Sequence, residues 1–520
     1  MSKVVTLANQ QNDALFVLIK SLTKSEKRQF NLYVGRLDGN VDAKFFSLFK
    51  FLEKLKIYDE KVIINSGIVT KQQLSNLKAH LYKQILISLR LNPAHKNIRI
   101  QIREQLDFAT VLYQKGLYKQ SLKLLDKAKN MALDNDEKNI AYEIVELEKV
   151  IETQYITRSI STRADELSEQ SKELSLQNVI TSKLSNLSLQ LYSVLLKIGY
   201  VRNDKELKEI NDYFAKRVPE YEYSSLGFRE KLWLYKAHLW RSFLTQDFLN
   251  SYKYANKWVN LFKENPRFIS LHPVFYLKGK NYLLESLFFI KHNQKFKEEL
   301  LSFEQEIERK NIPLNNNTEM LIFQYLNANK LHLHFLEGTF KEGECLVDEI
   351  EQKIVIYKNR LDQHHIVVLY YKIACLYFGM GDNRKCIAYL SKIINPKTVK
   401  SGEDLQCFAR VLNLIAHYEC GLDYHFERQF KETYKFLLKM ENLQAVQKEF
   451  IVSIKALSDV YPHEIKKEFK KIHTRLQKFE NHPYEKRAFL YLDILSWLES
   501  KIENKTVEEI VRNKITKLNQ

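Results

Sequence analysis

The 520-residue chain is poor in the residues that make tight turns, with 13 glycines and 8 prolines against ordinary usage of roughly 7% and 5%. That scarcity excludes folds built from many short strands and Gly-rich loops, and it points to an all-α protein. No G-x-x-x-x-G-K-[ST], G-x-G-x-x-G or Gly-x-Ser-x-Gly occurs, so the flexible loops that cradle phosphates and the strained nucleophile elbow have no sequence basis. Cysteine is scarce as well. Cys345, Cys375, Cys386, Cys407 and Cys420 form no C-x-x-C pair, and an odd number of widely spaced thiols fits a reducing cytosol better than a disulfide framework. Long apolar runs are missing too. The richest, "YLLESLFFI" at 282–290, carries Glu285 in its middle, far from the roughly 20 apolar residues that span a bilayer. The stretch at 14–19 is too short for a signal-peptide core. These absences predict a soluble, cytoplasmic protein without a transmembrane segment.

Metal and cofactor chemistry find no support either. His332-x-His334 and His364-His365 are the nearest approach to ligand pairs, and neither joins a Cys or carboxylate set at zinc spacing. His334 falls on a packing position of a helix, Cys386 where a small buried residue is wanted. No catalytic, metal or cofactor-binding residue is expected, and the chain reads as a non-enzyme.

What the sequence does contain is a repeat. In "KGLYKQSLKLLDKA" at 115–128, Gly116 reads as a turn. Ala109 and Leu112 precede it on one helix face, and Tyr118, Ser121, Leu125 and Ala128 follow on another. Those spacings describe a helical hairpin whose small residues sit where the backbones cross. The pattern returns at Gly338 with Phe340, Gly343, Val347 and Ile350, and at Gly381 with Cys386, Leu390 and Ile393. It returns at Gln246 with Phe248, Ser251, Ala255 and Trp258. Looser versions surround Gly199, Asn293 and Gly421, and another turn is expected near Ser159. A period of this size marks a solenoid of helix pairs.

The residues at 116–128, G-x-Y-x-x-S-L-x-L-L-x-K-A, resemble the second half of a tetratricopeptide repeat (TPR). The usual unit of that family is about 34 residues, so the helices here must be longer. The resemblance implies a right-handed TPR-like α-solenoid of about eight helix hairpins over residues 93–440. It also implies a protein-interaction scaffold or adaptor that offers a concave surface to a protein partner. A basic helical region at 1–92 precedes the repeats, set off by breaks at Asp38-Gly39-Asn40, Asn65-Ser66-Gly67 and Asn92-Pro93. Residues 441–520 supply C-terminal capping helices, among them an amphipathic one with Ile465, Phe469, Ile472, Leu476 and Phe479 on its stripe and a second, apolar nearly all round, at 488–502.

The charge is uneven. Residues 17–103 hold 17 Lys and Arg against 6 Asp and Glu, a net of +11 out of +18 for the chain. Lys20, Lys24, Lys27, Arg28 and Arg36 decorate the first basic helix, and Lys71, Lys78, Lys83 and Arg90 a later one. Clustered cations of this kind neutralise phosphates and release counterions, so RNA or a ribosomal surface is the alternative partner. "TKQQLSNLKAHL" lacks the partner helix of a DNA-reading motif, and DNA is not expected; its apolar stripe of Leu74, Leu77, Leu81 and Ile85 explains the same residues as packing.

Overall fold

The computed structural model describes residues 13–36, 44–92, 97–154, 162–358, 360–395, 403–421, 423–437, 445–457, 464–486, 489 and 493–518. The described residues are helical throughout, with no strand among them. The chain divides into two compact units, 1–174 and 175–520. The breaks expected at Asp38-Gly39-Asn40 and Pro93 and the turn near Ser159 lie outside the described residues, as do most of residues 487–492.

In the first unit, α1 (Ala14–Ser21), α2 (Lys24–Gly35) and α3 (Lys44–Lys54) pack on α5 (Lys71–Leu91), with α4 (Glu60–Asn65) leading into it. The start of α2 is fixed locally. The Thr23 hydroxyl accepts from the Glu26 N–H at 3.2 Å and the Glu26 carboxylate from the Thr23 N–H at 2.6 Å, satisfying two orphan donors at once. Phe30, Val34, Phe49, Leu52, Leu81 and Ile85 close the core between these helices. Then come α6 (Ile98–Gln114), α7 (Tyr118–Asp134), α8 (Lys138–Glu152) and the 36-residue α9 (Arg163–Ile198).

The second unit continues with α10 (Asp204–Ala215), α11 (Phe228–Leu244), α12 (Phe248–Glu264), α13 (Arg267–Leu271), α14 (Pro273–Phe289), α15 (Asn293–Glu308) and α16 (Asn316–Glu337). After these come α17 (Phe340–Gly343), α18 (Cys345–Tyr357), α19 (Gln363–Met380), α20 (Asn383–Ile394), α21 (Glu403–Glu419) and α22 (Asp423–Leu437). It ends in α23 (Ala445–Leu457), α24 (Ile465–Gln477), α25 (Ile494–Glu503) and α26 (Val507–Leu518). Neighbouring helices pack in pairs, and from α11 to α22 each pair also packs on the next.

One backbone device makes the pairs. Gly116, Gln246, Lys291, Gly338 and Gly381 all adopt the left-handed conformation, with φ between 54° and 84°. In each case the following N–H donates to the carbonyl five residues back: Leu117 to Leu112, Asp247 to Ser242, His292 to Leu287, Thr339 to His334 and Asp382 to Tyr377, at 2.9–3.1 Å. This is the 6→1 bond that satisfies an orphan carbonyl at a helix C-terminus. At three of the turns the residue making that bond also caps the next helix. The side chains of Asp247, His292 and Asp382 accept from the N–H groups of Asn250, Lys295 and Lys385. The turn expected at Asn293 therefore sits two residues earlier, at Lys291, since Asn293 is already the first residue of α15.

Small residues stand where the paired helices cross. Five positions after their turns, Ser121, Ser251 and Cys386 are fully buried, and the Ser121 hydroxyl donates to the Ala109 carbonyl on the partner helix at 2.7 Å. Gly343 leaves no room for more: a Cβ there would lie 2.7 Å from a Leu376 methyl and 3.0 Å from the His334 ring. At the Lys291 turn the same position holds Phe296, also fully buried, so that pair is spaced by a ring.

Gly343→Val is expected to cost about 1–3 kcal/mol through overpacking. Gly381→Asn, at a left-handed position with open space around it, is expected to cost less than about 1 kcal/mol. Chemical denaturation midpoints check this ordering, and equal losses would show that the close crossing is not what fixes the pair.

Candidate functional site

The nine basic residues singled out in the first unit separate into tethered and free. Lys78 is structural: its ammonium bridges the Asp13 carboxylate and the Tyr58 hydroxyl, the latter at 2.9 Å. Burial pushes its pKa down, but these two hydrogen bonds outweigh burial and raise it overall. Lys20 donates to the Glu53 carbonyl at 2.7 Å, Lys27 pairs with the Glu53 carboxylate at 3.4 Å, and Arg90 pairs with Asp107 at 3.0 Å. Lys24, Arg28, Arg36, Lys71 and Lys83 are exposed. Lys24, Arg28 and Arg36 fall on one stripe of α2 at four- and eight-residue intervals, around Leu32, itself 53% exposed, so they present a narrow cationic edge.

A second constellation lies in the second unit, on the first helices of three successive hairpins. α14 packs on α16 and α16 on α19, which brings Glu285, His332 and Lys372 together. The Lys372 ammonium meets His332 Nε2, and the His332 ring stacks on Phe288 at 4.0 Å with an 8° interplanar angle. The other ring nitrogen, Nδ1, is buried without a partner. Glu285 makes no hydrogen bond or ion pair with a described residue, and Lys372 has no carboxylate within 4 Å among them. Tyr282 and Tyr325 border the cluster.

Burial governs its electrostatics. Glu285 and Lys372 keep some accessible surface, yet desolvation dominates both. Burial raises the Glu285 pKa against the pull of Lys372, and burial lowers that of Lys372 against the pull of Glu285. His332 is held well below its ordinary value by burial and then by the Lys372 charge, so it is neutral and accepts the lysine proton. The group offers an ammonium, a carboxyl and an imidazole beside aromatic walls, which suits the anchoring of a polar side chain better than covalent chemistry.

The C-terminal helices lie along the ends of the same hairpins. Arg512 Nε donates to the carbonyl of the turn residue Gly338 at 2.8 Å, and its guanidinium pairs with Glu342 at 3.1 Å. The Gln246 amide donates to the Tyr484 and Val201 carbonyls, both at 3.0 Å, and the Tyr484 hydroxyl donates to Asp204. Trp497 Nε1 donates to Glu419 at 2.8 Å. These helices thus reach residues 201–248 as well as α16 and α19.

The remaining sequence candidates have packing roles. His334 Nδ1 bonds the Thr339 hydroxyl at 2.8 Å, Cys386 is fully buried, and burial pushes the Cys375 thiol up to about 12. Among the described residues, no three His, Cys, Asp or Glu are placed to hold a metal and no helix is long and apolar enough to cross a membrane. Comparison of the chain with protein-family models, curated proteins and solved structures finds no match.

The depressed His332 pKa carries a pH signature. The folded state binds this proton only far below the unfolded value near 6.5, so the stability His332 contributes is complete above pH 6.5 and is lost as pH falls below it. Between pH 7 and 5 the wild type is expected to lose unfolding free energy more steeply than His332→Gln, which keeps an acceptor for Lys372 but does not titrate. Parallel stability curves from urea denaturation would refute this.

Proposed function

We propose that the protein is a non-enzymatic interaction scaffold, a right-handed TPR-like α-solenoid of about eight hairpins whose concave surface holds a protein partner. The observation that carries this reading is the Glu285–His332–Lys372 cluster. Its members come from three successive hairpins, and polar groups are desolvated there without being paired off. Burying such groups costs free energy unless something pairs with them. An extended or helical peptide laid across α14, α16 and α19 supplies both the pairing groups and the side chains for the aromatic walls.

The second reading is association with RNA or a ribosomal surface through the basic N-terminal region. The free cations Lys24, Arg28, Arg36, Lys71 and Lys83 favour it, since phosphate contacts need charges that are not already paired.

Quantitative affinity capture with the wild type, a Glu285→Ala/Lys372→Ala variant and a variant reversing the five free N-terminal cations separates the two. The scaffold reading expects a protein captured by the wild type to be lost from the first variant, at unchanged helicity, and retained by the second. Retention by the first variant would overturn it. Ribosomal RNA lost only from the second, with capture weakening steeply as salt rises, would favour the alternative.

A further inference from the structure

In the second unit, α10, α11 and α12 form a face that carries unpaired positive charge. Five cations stand on it: Arg217, Lys231, Arg241, Lys253 and Lys257. None forms an ion pair among the described residues, whereas elsewhere in the same unit Lys280, Lys297, Lys330, Lys385 and Lys392 each hold a carboxylate within 3.4 Å. The five are interleaved with rings instead. Arg217 lies over Tyr213 at 3.7 Å, Arg241 over Phe214 at 5.0 Å and Lys231 over Tyr223 at 5.2 Å. Lys253 and Lys257 approach Tyr254 at 5.7 and 5.8 Å, and Lys257 also approaches Tyr235 at 5.8 Å.

Several of these rings touch, Phe214 and Tyr235 from buried positions. His238 stacks on Tyr254 at 4.3 Å with a 6° interplanar angle and meets Phe214 at 4.8 Å. Tyr223, 49% exposed, shares a hydrogen bond with Tyr235. The field of the face is visible on His238: burial lowers its pKa to about 4, with Arg241, Lys257 and Lys253 all adding to the depression. Among the acids of these elements, Glu264 acts on Tyr235 and Glu222 accepts from Ser224 at 2.5 Å.

We propose that this face binds single-stranded nucleic acid, its five cations following the phosphates and its accessible rings, the exposed Tyr223 and the partly buried Tyr254, stacking with bases. Cations alone would serve an acidic peptide equally well. The alternation of unpaired cation and ring is what selects nucleic acid, because every base brings both a phosphate and a π-face, and such platforms bind strands with little sequence preference. The site is separate from the N-terminal cations and stands or falls independently of them.

Fluorescence anisotropy of the full chain with labelled oligo(U) and oligo(dT) of roughly 15 nucleotides tests it over a range of salt. The expected result is binding that falls with salt at a log–log slope near −3.5 for five single-strand contacts, reduced by about 1.4 in Lys253→Glu/Lys257→Glu. Tyr254→Ala is expected to weaken binding about 5- to 150-fold, and Tyr254→Phe to retain it; circular dichroism on each variant keeps a folding defect from passing as a binding one. Preference for oligo(U) over oligo(dT) would name RNA as the natural strand, and the reverse would name DNA. Three results would overturn the proposal: no oligonucleotide binding at low salt, polyglutamate binding as tightly as the oligonucleotides, or binding untouched by the α12 variants and abolished by Lys24→Glu/Arg28→Glu.

Discussion

The fold depends on a single residue at each hairpin turn being held in the left-handed conformation. With it, the next N–H reaches back to the helix just ended and the chain reverses within two residues, and at Asp247, His292 and Asp382 the same residue caps the following helix. Glycine takes this conformation without strain, whereas Gln246, Lys291, Asp136 and Lys310 take it at a cost of about 1–2 kcal/mol each. The bond is present at those residues as well, in Glu137 to Ala132 and Asn311 to Glu306. A chain with few glycines can therefore be full of tight turns. The carbonyl of the left-handed residue itself is left pointing outward, and at Gly338 the C-terminal helices use it through Arg512.

The same device sets what could be read from residue order. Turns at Gly116, Gly338 and Gly381 were legible because glycine and a buried small residue five positions later report the same geometry twice. Gln246 was legible only from the second half of that signal, and Lys291 was misplaced because Phe296 hides it. Asp136 and Lys310, which end the second helices of their pairs, lack the glycine that marks the turns at Gly116, Gly338 and Gly381 and left no mark. Site residues follow the same logic. Glu285 stood out as a charge inside an apolar run, but its meeting with His332 and Lys372 depends on three hairpins stacking in register, which no local spacing encodes. The contacts of Tyr484 with Asp204 and of Arg512 with Gly338 join residues 280 and 174 positions apart, far beyond any periodic signal.

Buried charge in this protein comes in two kinds, and the contrast gives the inner cluster its meaning. Lys129 and Glu148 meet at 2.6 Å in the first unit, with Arg163 3.4 Å from the same carboxylate. Lys280 lies within 3.4 Å of both Glu299 and Glu306, and the Tyr276 hydroxyl donates to Glu306 at 2.6 Å. These groups compensate one another, as buried ions must to be tolerated at all. They lock helix to helix and need nothing further. Glu285 and Lys372 keep some accessible surface and hold no ion pair with a described residue, while His332 Nδ1 is buried without a partner.

Pairing also decides what the positive charge can do. A net charge of +18 describes the long-range field and the encounter rate with anions, but a cation held by a carboxylate has no phosphate contact left to give. By sequence density the N-terminal region is the most basic part of the chain. Lys78 is nevertheless spent on Asp13, Lys27 on Glu53 and Arg90 on Asp107, and only five of its nine candidates remain exposed without such a tether. The α10–α12 face has no unusual charge density in the sequence, because its cations come from α11, α12 and the segment after α10, and acids are interspersed among them. Its five cations are all unpaired, and each is pinned against a ring that lowers the entropy lost on contact.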